Sequence, residues 1–135
     1  MRIYNTLGRT DTEFSSRDEG KVGFYICGPT VQSRPHVGHG RAAVAFDVVR
    51  RYLMWLGYEV TYVQNVTDVD DKIIAAAAEQ GCSADEIAAE AGEAFSTGYR
   101  KLGVMAPTIE PRATEHIPQM IEMIERLIAT DHAYP

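Results

Sequence analysis

Hydrophobic and polar positions alternate between two periods along this chain. Lys21-Val22-Gly23-Phe24-Tyr25-Ile26-Cys27 is an apolar run rich in β-formers and predicts a buried strand. From residue 37 to 56 the period changes. Ala45, Val48, Val49, Tyr52, Leu53 and Leu56 recur at helical spacing, which predicts a helix with one apolar stripe. Arg41, Arg50 and Arg51 fall mostly off that stripe, and Gly57 supplies the residue that ends such a helix. Residues 58–66 read as a second strand. A strand, a long helix and a strand make a β-α-β unit with parallel strands and a right-handed crossover. The expected fold class is therefore α/β, with a Rossmann-like, doubly wound parallel sheet whose ligands sit at the carboxyl ends of the strands.

The flanks are less regular. Residues 2–7 read as a short strand and 8–20 as a polar loop. Asp70 to Gln80 reads as a helix closed by Gly81. Ser83 and Glu86 form a capping box for a further helix over 84–101, with Ile87, Ala91, Ala94, Phe95 and Leu102 on its apolar face. A loop around Pro107 and Pro111 follows, and Thr114 is expected to cap a last helix over 115–130. This divides the chain into a nucleotide-binding core over about 1–80 and a helical extension over about 82–135. Trp55 and the tyrosines read as core.

Composition bounds the function. The 135 residues suffice for one core. No apolar run reaches the roughly 20 residues that span a bilayer, and Met1-Arg2-Ile3-Tyr4-Asn5 lacks a signal-peptide core. A cytoplasmic location is expected, with no membrane partner. Two cysteines, Cys27 and Cys82, are too few for a disulfide framework. Cys82 reads as a surface thiol. A net charge of −6 argues against a principal nucleic-acid surface.

The chemistry gathers where the first strand meets the long helix. Cys27-Gly28-Pro29-Thr30 ends the strand, and His36-Val37-Gly38-His39-Gly40 opens the helix. A strand feeding a helix through a Gly/Pro loop presents backbone N–H groups and a positive helix end to phosphate. His36 and His39 stand three apart on one face, and Gly38 between them lets a ligand approach the backbone. Spacing alone leaves open whether they are phosphate donors or two surface histidines. Asp68 and Asp70 read as N-caps or as carboxylates for an ammonium group.

The His-x-Gly-His pattern resembles the nucleotide-binding signature of class I aminoacyl-tRNA synthetases. Tyr25-Ile26-Cys27-Gly28-Pro29-Thr30-Val31 before it, and Asn65-Val66-Thr67-Asp68-Val69-Asp70-Asp71-Lys72-Ile73-Ile74 after it, resemble the cysteinyl-tRNA synthetase family from about Ile3 to Tyr134. The resemblance implies ATP-dependent activation of cysteine and its transfer to tRNA(Cys), with Mg(2+) accompanying ATP. It implies that His36 and His39 act on the phosphates. Gly28, Pro29, Thr30, Gly38, Gly40 and Thr67 would line the nucleotide and amino-acid sites, with Thr67 in the amino-acid pocket. It implies that Cys27 is one of four ligands to a Zn(2+) ion that accepts the substrate thiolate. The other three, a Cys, a His and a Glu, would lie beyond residue 135, as would a Lys-Met-Ser-Lys-Ser-like signature. The chain is thus expected to be an N-terminal piece of the catalytic domain, inactive alone, from an enzyme that is monomeric at full length. Two alternatives stand beside this reading. One is a sibling ligase joining cysteine to an amino-sugar. The other is a non-catalytic binding module.

Overall fold

The computed structural model describes residues 1–134, so the last residue of the expected helical extension lies outside the described residues. Two small sheets and four α-helices make an α/β fold. Strands β1 (Arg2–Asn5) and β2 (Thr10–Glu13) form an antiparallel hairpin with Arg2 opposite Glu13. The loop expected over 8–20 therefore contains a strand. Its residues, Thr-Asp-Thr-Glu, are polar and exposed, so no apolar alternation marks it.

Strands β3 (Lys21–Ile26) and β4 (Glu59–Gln64) pair in parallel, in register from Lys21–Glu59 to Ile26–Gln64. Helix α1 (Val37–Trp55) joins them, as the β-α-β reading requires. Leu56 caps it, and Gly57 turns the chain at φ +92°, a conformation that L side chains rarely adopt. Beyond β4 come α2 (Asp71–Gln80), α3 (Ala84–Lys101), a 3₁₀ turn over Thr114–His116 and α4 (Ile117–Ala129). Val31, Val66, Ile73, Ala77, Ile87, Ala88, Ala91 and Phe95 form one buried cluster between the sheet's carboxyl end and the α2–α3 pair. The small side chains on α2 and α3 allow that close approach.

Residues 108–113 run beside β4. The Gln64 and Val66 N–H groups donate to the Ile109 and Pro111 carbonyls, and Ala113 N–H donates to the Val66 carbonyl. Parallel bridges join Val63 to Ile109 and Val66 to Arg112. The expected proline loop thus extends the parallel sheet as an irregular third strand.

Helix α1 buries Leu53 of the expected apolar stripe but otherwise turns a different face inward. Its buried face is Ala43, Asp47, Arg50 and Leu53, while Val48 and Tyr52 are exposed. Trp55, expected in the core, is 77% exposed and stacks on Tyr52 with centroids 5.7 Å apart. Tyr4, Tyr25 and Tyr134 are exposed as well, and Tyr62 alone among the tyrosines is buried. The reason is a set of partners on 103–108. Asp47 accepts from Arg51 Nε at 2.6 Å and from Met105 N–H at 3.0 Å. Arg50 donates to the Ala106 carbonyl at 2.7 Å and to Thr108 Oγ1 at 3.3 Å, and lies over the Tyr62 ring. Charges so bonded can be buried. The clamp holds the approach to 108–113 against α1.

Thr114 does not cap α4, whose N-cap position, His116, makes no side-chain capping bond. Thr114 is instead bonded to Asp68 through its N–H at 3.0 Å and its hydroxyl at 2.7 Å. Asp68 therefore does not cap α2. Asp70 does, accepting from Lys72 N–H at 2.9 Å. Among the described residues, no helix is long and apolar enough to cross a membrane.

Candidate functional site

The carboxyl ends of β3 and β4 open into a cleft of about 120 Å³. Ile26, Cys27, Gly28 and Pro29 line one side, and His39, Ala42, Ala43 and Phe46 of α1 line another, with Tyr62, Gln64 and Tyr99 completing it. The fold thus brings Cys27, Gly28, Pro29 and His39 together. Cys27 is exposed, with its thiol in a position to meet solutes.

His36 caps α1 in extended backbone, and its Nδ1 accepts the Gly38 N–H at 3.1 Å. His39 Nδ1 in turn accepts the His36 N–H at 3.2 Å. The two rings lie 3.9 Å apart, and the His39 ring meets Phe95 edge to face at 4.9 Å. Both Nδ1 atoms face backbone N–H groups, which can only donate. Each neutral ring therefore carries its proton on Nε2. Burial first, then the neighbouring His36 ring, holds His39 below the ordinary imidazole pKa, which favours this neutral form. The helix start thus presents two Nε2–H donors beside its own positive end.

The glycines have local reasons. A Cβ on Gly38 would sit 2.8 Å from His36 Cε1, so the missing side chain makes room for the capping imidazole. A Cβ on Gly28 would lie 1.5 Å from the Asn65 carbonyl oxygen, which excludes any side chain there. At Gly40 the neighbour is Leu102 Cδ1, 2.9 Å from such a Cβ, where α1 passes α3.

Thr30 and Thr67 lie opposite each other and continue the β3–β4 pairing. Thr67 N–H donates to the Pro29 carbonyl, and Val31 N–H donates to the Thr67 carbonyl. His36 and Gly40 border a separate apolar groove with Pro35, Val44, Tyr99 and Leu102. Thr30, His36, Gly38, Gly40 and Thr67 thus flank the cleft but do not line it.

Sequence reasoning gave no role to Asn65 and read Tyr99 only as a core residue. Asn65 accepts the Gly28 N–H at 2.7 Å across the mouth of the sheet. Its place just after β4, where a parallel ladder runs out of backbone partners, was the available signal. Tyr99 arrives from α3, far along the chain, and carried no such signal.

Asp68 is buried beneath this region. Burial pushes its carboxyl upward, but the Thr114 N–H and hydroxyl, its own backbone N–H and Arg112 together hold it below the usual carboxylate range.

A zinc site needs about four donors. Among the described residues no group of three or more His, Cys, Asp or Glu side chains could hold a metal. Cys27 supplies one thiol and His39 uses its Nδ1 as a cap, so these residues do not by themselves fit zinc.

An open crevice at parallel strand ends, beside a helix start with paired imidazole donors, has the geometry and donor chemistry that suit an anionic, nucleotide-like ligand. Residues 13–135 match the family described as tRNA synthetases class I (C) catalytic domain, and the chain belongs to that family. Over 134 residues, 99% of this chain, it is 50% identical to the cysteine–tRNA ligases of Nocardioides sp. and of Pectobacterium carotovorum. It is 46% identical over the same length to that of Shewanella loihica. The chain spans 28–29% of the length of these relatives.

Proposed function

We propose that this chain is the ATP-binding part of a cysteine–tRNA ligase, which activates cysteine with ATP and transfers it to tRNA(Cys). The observation that carries the reading is identity of 46–50% across 134 residues to ligases of that name. The geometry supports it with a helix start built to meet phosphate.

In this reading the parallel β3–β4 pair belongs to a doubly wound sheet. Residues 1–80 form its nucleotide-binding core and 82–135 a helical extension. The Nε2–H groups of His36 and His39 donate to phosphate oxygens of ATP. They act most strongly as charge moves onto the oxygen bridging the α- and β-phosphates. The cysteine carboxylate attacks the α-phosphorus, the bridging bond breaks, and pyrophosphate leaves with the electron pair; Mg(2+) accompanying ATP would offset the phosphate charge. The terminal ribose hydroxyl of tRNA then attacks the adenylate carbonyl, expelling AMP and losing its proton. Positioning and electrostatics supply the catalysis, with no covalent enzyme intermediate.

Gly28, Pro29 and Thr67 border the cysteine, and Gly38 and Gly40 leave room beside the nucleotide. Cys27 would supply one thiolate to a zinc centre only together with ligands from outside these residues. Zinc there would separate cysteine from serine by its preference for thiolate over hydroxyl. The enzyme works in the cytoplasm as a monomer. Aminoacylation of tRNA(Cys) by the full-length gene product, assayed against an amino-sugar acceptor, tests the assignment. Charging of tRNA supports it, and consumption of the amino-sugar alone refutes it.

A further inference from the structure

We infer that Asn65 is a positioning residue that fixes the hydrogen-bond polarity of Thr67, leaving the Thr67 hydroxyl free to donate to the bound amino acid. The inference rests on the function proposed above and names a further determinant of its amino-acid site.

The argument begins at Gly28. Its backbone N–H lies 2.7 Å from Asn65 Oδ1. An N–H only donates, so the oxygen end of the Asn65 amide must face it. That choice turns the amide nitrogen toward Thr67, and Nδ2 lies 3.3 Å from Thr67 Oγ1. The amide nitrogen also only donates, so Oγ1 accepts at this contact. The hydroxyl has one hydrogen, and among the described residues no other hydrogen bond uses it. It is left to donate to an acceptor from outside. The carboxylate or the sulfur of a small amino acid is an acceptor of that kind.

Turning the amide over would set its Nδ2 donor against the Gly28 N–H and leave that N–H without an acceptor. The Gly28 backbone also packs on the Asn65 main-chain carbonyl, where a Cβ would lie 1.5 Å from the oxygen. The backbone bonds of Thr67 to Pro29 and Val31 fix the other side of the loop. One side chain therefore ties the Cys27–Pro29 loop to Thr67 and sets the direction of both bonds. Aspartate has the same shape but the wrong chemistry. Its first oxygen could still accept from Gly28, but its second could only accept the Thr67 proton, and the hydroxyl would be spent inside the protein.

The test uses the full-length gene product and cysteine-dependent ATP–pyrophosphate exchange. N65D is expected to raise KM for cysteine about tenfold, the loss of one hydrogen bond to a charged group. KM for ATP and kcat stay near wild type. T67V should match it, and N65D combined with T67V should be no worse than T67V alone. Amide hydrogen exchange across residues 25–30 should stay protected in N65D and rise in N65A, which removes the acceptor for Gly28. A cysteine KM in N65D equal to wild type overturns the inference, as do effects of N65D and T67V that multiply. Wild-type enzyme that shows no cysteine-dependent exchange overturns the proposed function and this inference with it.

Discussion

His36 and His39 cap one helix through each other: the His36 N–H donates to His39 Nδ1 at 3.2 Å while His36 Nδ1 accepts from Gly38 at 3.1 Å. The pair is thus part of the helix's hydrogen bonding as well as of the proposed phosphate site. The two roles separate by substitution. H36A removes the cap and should cost about 1 kcal/mol of stability by chemical denaturation. H36N keeps a capping acceptor and should recover most of that loss. Neither should restore cysteine-dependent pyrophosphate exchange, because neither carries an imidazole Nε2–H.

The cap also makes the helix start sensitive to acid. His39 sits below the ordinary imidazole pKa in the folded chain, so the unfolded chain takes up a proton first as the pH falls. Its contribution to stability is complete above about pH 6.5, the unfolded value, and declines as the pH drops through the lower folded value. The melting temperature should fall across that window, and H39Q should flatten the fall. A nitrogen-15 spectrum near pH 7.5 should show both rings protonated at Nε2.

Gly28 has no room for a side chain. G28A would drive a Cβ into the Asn65 carbonyl and should destabilise the protein by about 3 kcal/mol, at the upper end of overpacking costs. Denaturant melts of the purified variant check this, and a stability equal to wild type would refute the observed packing.

Asp68 ties the end of β4 to the 3₁₀ turn through Thr114. D68A leaves two Thr114 donors without their partner and should cost about 1–3 kcal/mol. Because its carboxyl is held below the usual range, the tie is fully present above about pH 4 and is lost as the pH falls through the lower folded value. The acid limb of the wild-type stability curve should therefore be steeper than that of D68A.

Local signals carried much of the architecture. Gly57, Gly81 and the Ser83–Glu86 capping box were legible because each depends on residues within one turn of each other, and the β3-α1-β4 unit because its three periodic segments follow one another along the chain. The buried face of α1 was not. Asp47 and Arg50 find their partners more than fifty residues later, and without those partners a polar residue reads as exposed. Thr114 failed as a cap for the same reason, since its partner is Asp68. The spacing of His36 and His39 placed two imidazoles on one face, but their reciprocal capping depends on backbone geometry that spacing does not encode. Asn65 was visible within a motif, and its role emerged only when Gly28 was found against it.

The most direct test of the central claim is cysteine-dependent ATP–pyrophosphate exchange by the full-length gene product, run beside the variant carrying both H36N and H39Q. The account predicts exchange that requires cysteine, is weak with serine, and is lost in the variant while its fold remains. Exchange that persists at the wild-type rate without either imidazole would contradict it.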